Sequence, residues 1–252
     1  MVEPILATDR LVKRFGGLTA TDGVSLAIAP GEVHALIGPN GAGKTTLIGQ
    51  LTGDIKPQSG RILFEGRDIT ALPAHRRARL GLARSFQITS IFLDMTALDN
   101  VALAVQIHRG HSFRFWRNAR KEPDLRGPAL ELLALVGLPG RADAIAADLS
   151  HGEHRQLEIA MALASEPRML LLDETMAGMG PEEGKRLVVL LRDLKADRTI
   201  LLVEHDMDAV FALADRITVL VYGRAIATGT PAEIRASSEV REAYLGDAGA
   251  PP

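Results

Sequence analysis

Three short stretches carry residue types suited to phosphate chemistry. Gly38-Pro39-Asn40-Gly41-Ala42-Gly43-Lys44-Thr45 has the eight-residue spacing of a phosphate loop. Glycines there let successive backbone N–H groups turn inward around phosphates, the helix that follows adds its N-terminal dipole, and Lys44 reaches the outer phosphates. Thr45 offers a hydroxyl to Mg²⁺, and Thr46 continues the run. A glycine-rich turn before a helix explains the same glycines, but not lysine and threonine both in register. The second stretch is Arg168 to Glu174, an apolar run ending in two carboxylates. Asp173 can bind Mg²⁺ directly or through water, and Glu174 can orient or deprotonate a water attacking the terminal phosphate. Taken alone, such a pair reads as a helix N-cap and a solvated turn; beside the Lys44 loop the chemical reading prevails. The third is Leu149-Ser150-His151-Gly152-Glu153, followed by the helical HRQLEIAMALA. Ser150 can cap a helix whose N-terminus meets an anion, although a lone capping box means little.

These residues need a scaffold of a particular kind. Glu32 to Gly38 is a strand-length apolar run bounded by Pro30-Gly31, and Lys44 to Gly53 has helical spacing, so the loop lies between strand and helix. Arg168 to Asp173 and Thr199 to His205 are near-continuous apolar runs, the pattern of strands buried on both faces of a parallel sheet. Leu6 to Lys13, Val24 to Ile28 and Arg61 to Phe64 alternate instead, which predicts antiparallel strands beside the parallel core. The class is therefore α/β with a mixed sheet. Leu98 to Ile107, Gly127 to Val136 and Glu153 to Leu163 have helical periodicity, predicting a helical subdomain inserted over residues 88–163 between core halves 1–87 and 164–245. Residues 246–252 read as a disordered tail of a single domain spanning 1–252.

Bulk composition narrows the classes. The 252 residues carry a formal net charge of −2, which removes a broad electrostatic case for nucleic acid, and contain no cysteine, so disulfides and thiolate metal sites are excluded. No secretory signal is visible at the start, and no apolar run approaches the ~20 residues of a membrane-spanning helix. The segment 108–121 (HRGHSFRFWRNARK) is basic and interleaved with aromatics. It reads as a solvated face with an aromatic anchor or as a nucleic-acid or membrane contact.

With the motifs in this order, the chain resembles the ABC ATPases, whose signature is commonly LSGGQ where this sequence has LSHGE. The resemblance implies a P-loop ATPase of ABC type that uses ATP and Mg²⁺. It implies that Phe15 stacks on adenine, that residues 38–46 hold the phosphates, and that Thr45, Gln87 and Asp173 serve the metal. Gln87 and His205 join Glu174 in catalysis, His205 as the residue that contacts the terminal phosphate. Ser150, His151, Gly152 and Glu153 act in trans on the nucleotide of a second ATPase subunit, identical or related. The sequence departs from the family at Thr175, where proline is usual, and at Gly180, where aspartate is common.

Several stretches (GLARSFQITSIFLDMTALDNV, the segment after Ile107, LSHGEHRQLEIA and EVREAYLG) are similar to the branched-chain amino-acid importer ATPases. That similarity implies separate permease subunits, a periplasmic or surface substrate-binding protein, and a cytoplasmic, peripheral place on the inner face of the cell membrane. Lipopolysaccharide exporters and importers of urea or short amides use similar subunits. A soluble ABC ATPase acting on nucleic acid or ribosomes is the reading from another class.

Overall fold

The computed structural model describes residues 3–84, 91–110 and 122–242. In chain order the strands are β1 (Leu6–Phe15), β2 (Leu18–Ile28), β3 (Val33–Ile37), β4 (Ser59–Phe64), β5 (Arg67–Asp68), β6 (Leu82–Arg84), β7 (Met169–Asp173), β8 (Thr199–Val203), β9 (Arg216–Val221) and β10 (Arg224–Gly229). The helices are α1 (Lys44–Thr52), α2 (Ala74–Arg79), α3 (Ala97–His108), α4 (Pro123–Leu135), α5 (His151–Leu163), α6 (Pro181–Leu194), α7 (Met207–Leu213), α8 (Pro231–Ala236) and α9 (Ser238–Val240).

The central sheet has the order β10-β9-β3-β8-β7-β6. Strands β9, β3, β8, β7 and β6 run parallel, and β10 closes the edge antiparallel to β9. In β7 and β8, alternate residues serve opposite faces. Leu170, Leu172, Ile200 and Leu202 join one core with α5, α6 and the helices between β6 and β7. Met169, Leu171, Leu201 and Val203 join a second core with α1 and the antiparallel strands. A strand with two buried faces must be apolar at every position, which is why these runs stand out in the sequence. Fully burying each such leucine contributes about 2 kcal/mol.

The second sheet, β2-β1-β4-β5, is antiparallel throughout. Its inward residues (Leu6, Leu11, Val24, Leu26, Ile28, Ile62 and Phe64) pack on α1 residues Leu47, Ile48 and Leu51. The predicted alternation of antiparallel strands is thus realised, with β2 starting earlier than Val24. Three further strands carry weak sequence signals. β6 is three residues long, and β9 and β10 are interrupted by arginine and threonine.

Arg77 of α2 joins the two layers. It is buried, and its guanidinium donates to the carbonyl oxygens of Gln50 and Leu51 (2.7 Å each), Leu72 (2.8 Å) and Thr70 (3.0 Å). The first two belong to the last turn of α1, so the cation satisfies carbonyls that the helix leaves unpaired and meets its negative end. The helices α3, α4 and α5 pack on one another through Val101, Val105, Ala129, Leu133, Leu157 and Ala160. They form the helical insertion between β6 and β7.

Candidate functional site

The carboxyl ends of β3, β7 and β8 are adjacent in the sheet, and each is followed by a loop carrying a candidate residue. Open α/β sheets bind ligands at that edge. After β3 the loop 38–43 is shaped by backbone contacts that admit no side chain. A Cβ at Gly38 would lie 2.1 Å from the Leu220 carbonyl oxygen, and one at Gly43 would lie 2.0 Å from that of Ala20. Gly43 also has φ +102°, a conformation that costs an L side chain. The β9–β10 turn braces the loop, since Gly223 N–H donates to the Ala42 carbonyl (2.9 Å) and Asp22 N–H donates to the Gly223 carbonyl (2.8 Å).

Gly43 is the N-cap of α1 and supplies no side-chain acceptor, so the first-turn N–H groups face the loop uncapped. That is the arrangement an anion fills. Lys44 is buried, and its ammonium donates to the carbonyl oxygens of Gly38 (2.7 Å) and Pro39 (3.1 Å). Burial pushes its pKa below the ordinary lysine value, and the Glu174 and Asp173 carboxylates oppose that shift. Thr45 is exposed and Thr46 half-buried in the same turn, while Pro39 and Asn40 lie on the outer rim.

Asp173 ends β7 with 2% exposure. Its Oδ2 accepts from Arg84 Nη2 at 2.9 Å, and among the described residues its buried Oδ1 has no hydrogen-bond partner. Burial pushes this carboxyl above its ordinary pKa, and Arg84 pulls it back. A buried, unpaired carboxylate oxygen close to a phosphate loop is a fitting donor for a hard cation. Mg²⁺ is commonly held through few carboxylates together with phosphate oxygens, a donor set that the Asp173 carboxylate and the Thr45 hydroxyl fit.

Glu174 has φ +52°, an uncommon conformation that turns its side chain out of the strand direction. Its Oε1 accepts from His205 Nε2 at 2.9 Å, so the two residues meet although 31 positions apart. Behind them, buried Glu204 accepts from the Thr175 hydroxyl (3.1 Å) and Met176 N–H (2.9 Å), pinning the loop after β7 to the end of β8. Burial pushes the Glu204 carboxyl up against those hydrogen bonds. Phe15 ends β1 and is 50% exposed, with Lys13 Nζ 5.2 Å from its ring centroid. An exposed ring on a sheet edge is available for stacking.

Ser150 caps α5 in a full capping box. Its Oγ accepts from Glu153 N–H (3.2 Å), and Glu153 Oε2 accepts from Ser150 N–H (2.8 Å). Arg141 then grips Glu153 with two bonds of 2.6 and 3.0 Å, lowering the Glu153 pKa to about 2. Among the described residues, no hydrogen bond or ion pair joins Ser150–Glu153 to the loop 38–46. Lys44, Asp173, Glu174 and His205 therefore come together within one chain, and the α5 terminus stands apart from them. Gln87, the aromatic-basic residues 111–121 and the end of EVREAYLG lie outside the described residues. Sequence reasoning passed over Arg84, Glu204 and Arg141; only Glu204, a carboxylate at the end of an apolar strand, signals itself.

Comparison with known proteins identifies the family. Residues 21–177, more than half of the chain, match the family described as ABC transporter, and residues 226–250 match the branched-chain amino acid ATP-binding cassette transporter family. The chain is 40% identical to the high-affinity branched-chain amino acid transport ATP-binding protein LivG of Escherichia coli, across 98% of this chain and 100% of that protein. It is 37% identical to the lipopolysaccharide export system ATP-binding protein LptB of Acidithiobacillus ferridurans, across 96% and 95%. A solved ATP-binding cassette of an ABC transporter in its ADP conformation superposes with a TM-score of 0.86 at 34% identity, covering 96% of this chain and 98% of that one.

Proposed function

The chain belongs to the ABC transporter family, and from that premise we propose that it is the ATP-hydrolysing subunit of an importer for branched-chain or other hydrophobic amino acids. The observation that carries the chemistry is the Glu174–His205 contact of 2.9 Å at the strand ends that face Lys44. A carboxylate and an imidazole joined at that edge can hold a water and the terminal phosphate in one geometry.

Each residue has a task in this reading. Phe15 stacks on adenine, the N–H groups of 38–46 and the Lys44 ammonium hold the phosphates, and Thr45, Gln87 and Asp173 hold Mg²⁺. When bound, Mg²⁺ neutralises charge on the β and γ phosphates. Glu174 takes a proton from, or orients, the attacking water, and His205 keeps Glu174 pointed at it while contacting the γ phosphate. Lys44 leaves the carbonyls of Gly38 and Pro39 for phosphate oxygens, a charge-assisted exchange that offsets its desolvation.

A second ATPase subunit, identical or related, completes the site. Ser150, His151, Gly152 and Glu153 of one subunit close on the phosphates held by the other, which accounts for an α5 terminus lying apart from its own phosphate loop. Residues 1–87 and 164–245 form the nucleotide-binding core, and 88–163 form the helical subdomain that grips the permeases near Gln87. No helix among the described residues is long and apolar enough to cross a membrane. The subunit sits on the cytoplasmic face of permeases fed by a periplasmic or surface binding protein. The net charge of −2 gives no support to nucleic acid as a partner.

Reconstitution with its permeases in vesicles tests the assignment: ATP-dependent accumulation of leucine, isoleucine or valine is expected. Stimulation only by lipopolysaccharide would favour the exporter reading that the LptB similarity supports. Full ATP turnover by a strictly monomeric preparation would overturn the two-subunit site.

A further inference from the structure

One residue that departs from the family's usual pattern touches, in the fold, the loop that holds two other departures. His151 stands where the signature commonly has its first glycine, and residues 175–180 lack the usual proline and aspartate. His151 Nε2 donates to the Ala177 carbonyl oxygen at 3.1 Å. The ring covers Gly178, where a Cβ would lie 3.2 Å from it and where φ is +77°. Any other residue at 178 would meet both backbone strain and the imidazole.

The contact is reinforced on the next residue. Gly152 faces Glu183 so closely that a Cβ there would lie 2.6 Å from the carboxylate, whose Oε2 accepts from Gly180 N–H at 3.0 Å. At its other end the same loop is held by Glu204 through Thr175 and Met176. Proline stiffens a loop by fixing φ. Here hydrogen bonds from three directions take over that task, and one of them comes from the signature helix.

We propose that His151 is a positioning residue that ties the start of α5 to the loop following Asp173 and Glu174 in the same subunit. The helix end offered to a partner's nucleotide and the loop that follows the hydrolytic carboxylate then shift as one body. The cis tie is read from the geometry of one chain; its effect on a partner rests on the two-subunit site proposed above.

Two measurements separate those halves. In the nucleotide-free chain, His151→Gly is expected to speed hydrogen exchange of the 177–180 amides about fivefold, the loss of one hydrogen bond, with β7 and β8 amides as folding controls. His151→Gln, whose amide N–H reaches a similar distance, is expected to restore most of the protection. In a Glu174→Gln background, adding His151→Gly is expected to weaken the ATP-driven dimer about fivefold in a light-scattering titration. His151→Gln in that background should weaken it less than His151→Gly does.

Unchanged exchange in His151→Gly, or a glutamine variant that exchanges like the glycine variant, overturns the tie, and an unchanged dimer overturns its effect on a partner. Failure of the Glu174→Gln parent to dimerise with ATP would instead count against the two-subunit site. The exchange comparison would then decide the tie alone.

Discussion

The phosphate loop and the α5 terminus are both helix N-termini suited to an anion, and they are built in opposite ways. At α1 the capping position is Gly43, the first-turn N–H groups are left uncapped, and the loop is held by backbone packed against Ala20, Leu220 and Gly223. At α5 the Glu153 N–H already donates to Ser150 Oγ and the Ser150 N–H to Glu153 Oε2, and the Glu153 carboxylate of this capping box is paired with Arg141. The first end is ready for a ligand by itself. The second carries a side-chain cap and a carboxylate of its own, so an anion that came to it would have to compete with Glu153.

Substitutions can break that contrast, and the largest effect belongs to the carboxylate at the strand edge beside the phosphate loop. Glu174→Gln should lower phosphate release about a thousandfold while nucleotide affinity in equilibrium binding is kept. Retained turnover would remove Glu174 from its assigned role. Gly43→Ala comes next: its methyl group would meet the Ala20 carbonyl, so nucleotide affinity should fall roughly a hundredfold, about 3 kcal/mol, in a titration. The equivalent exposed-end change, Ser150→Ala, should leave affinity of the isolated subunit untouched. Equal losses at both ends would erase the distinction.

Arg84→Gln has a smaller cost of about 2 kcal/mol in denaturant unfolding, because it leaves the buried Asp173 carboxylate without its charged partner. Added Mg²⁺ with nucleotide should recover part of that loss, since a cation at Asp173 replaces the missing guanidinium.

The smallest effect concerns pH. Glu153 is lowered from 4.5 to about 2 by Arg141, so its capping contribution is complete above pH 4.5 and fades as pH falls toward 2. Because the Arg141 side chain is about half exposed, solvent screening keeps the contribution small. Arg141→Gln should move the Glu153 carboxyl midpoint upward in an NMR titration. An unmoved midpoint would show that the capping box alone sets it.

Legibility followed burial and range along the chain. β7 and β8 were legible because strands covered on both faces must be apolar throughout, whereas β6 is too short and β9 too mixed to announce themselves. Arg84 and Arg141 look like surface arginines in the sequence. Each takes its meaning from a carboxylate that the fold brings to it, Asp173 and Glu153 respectively.

By itself the sequence determined the phosphate loop, the strand that delivers Asp173 and Glu174, and the helix cap at Ser150. Each depends on residues within a few positions of one another, where covalent geometry and local hydrogen bonding act. Only the tertiary structure decided that His205 meets Glu174, that Glu204 pins Thr175 and Met176, and that His151 closes on Gly178. Those contacts follow from the order in which β3, β8 and β7 lie side by side, and packing across a whole core sets that order.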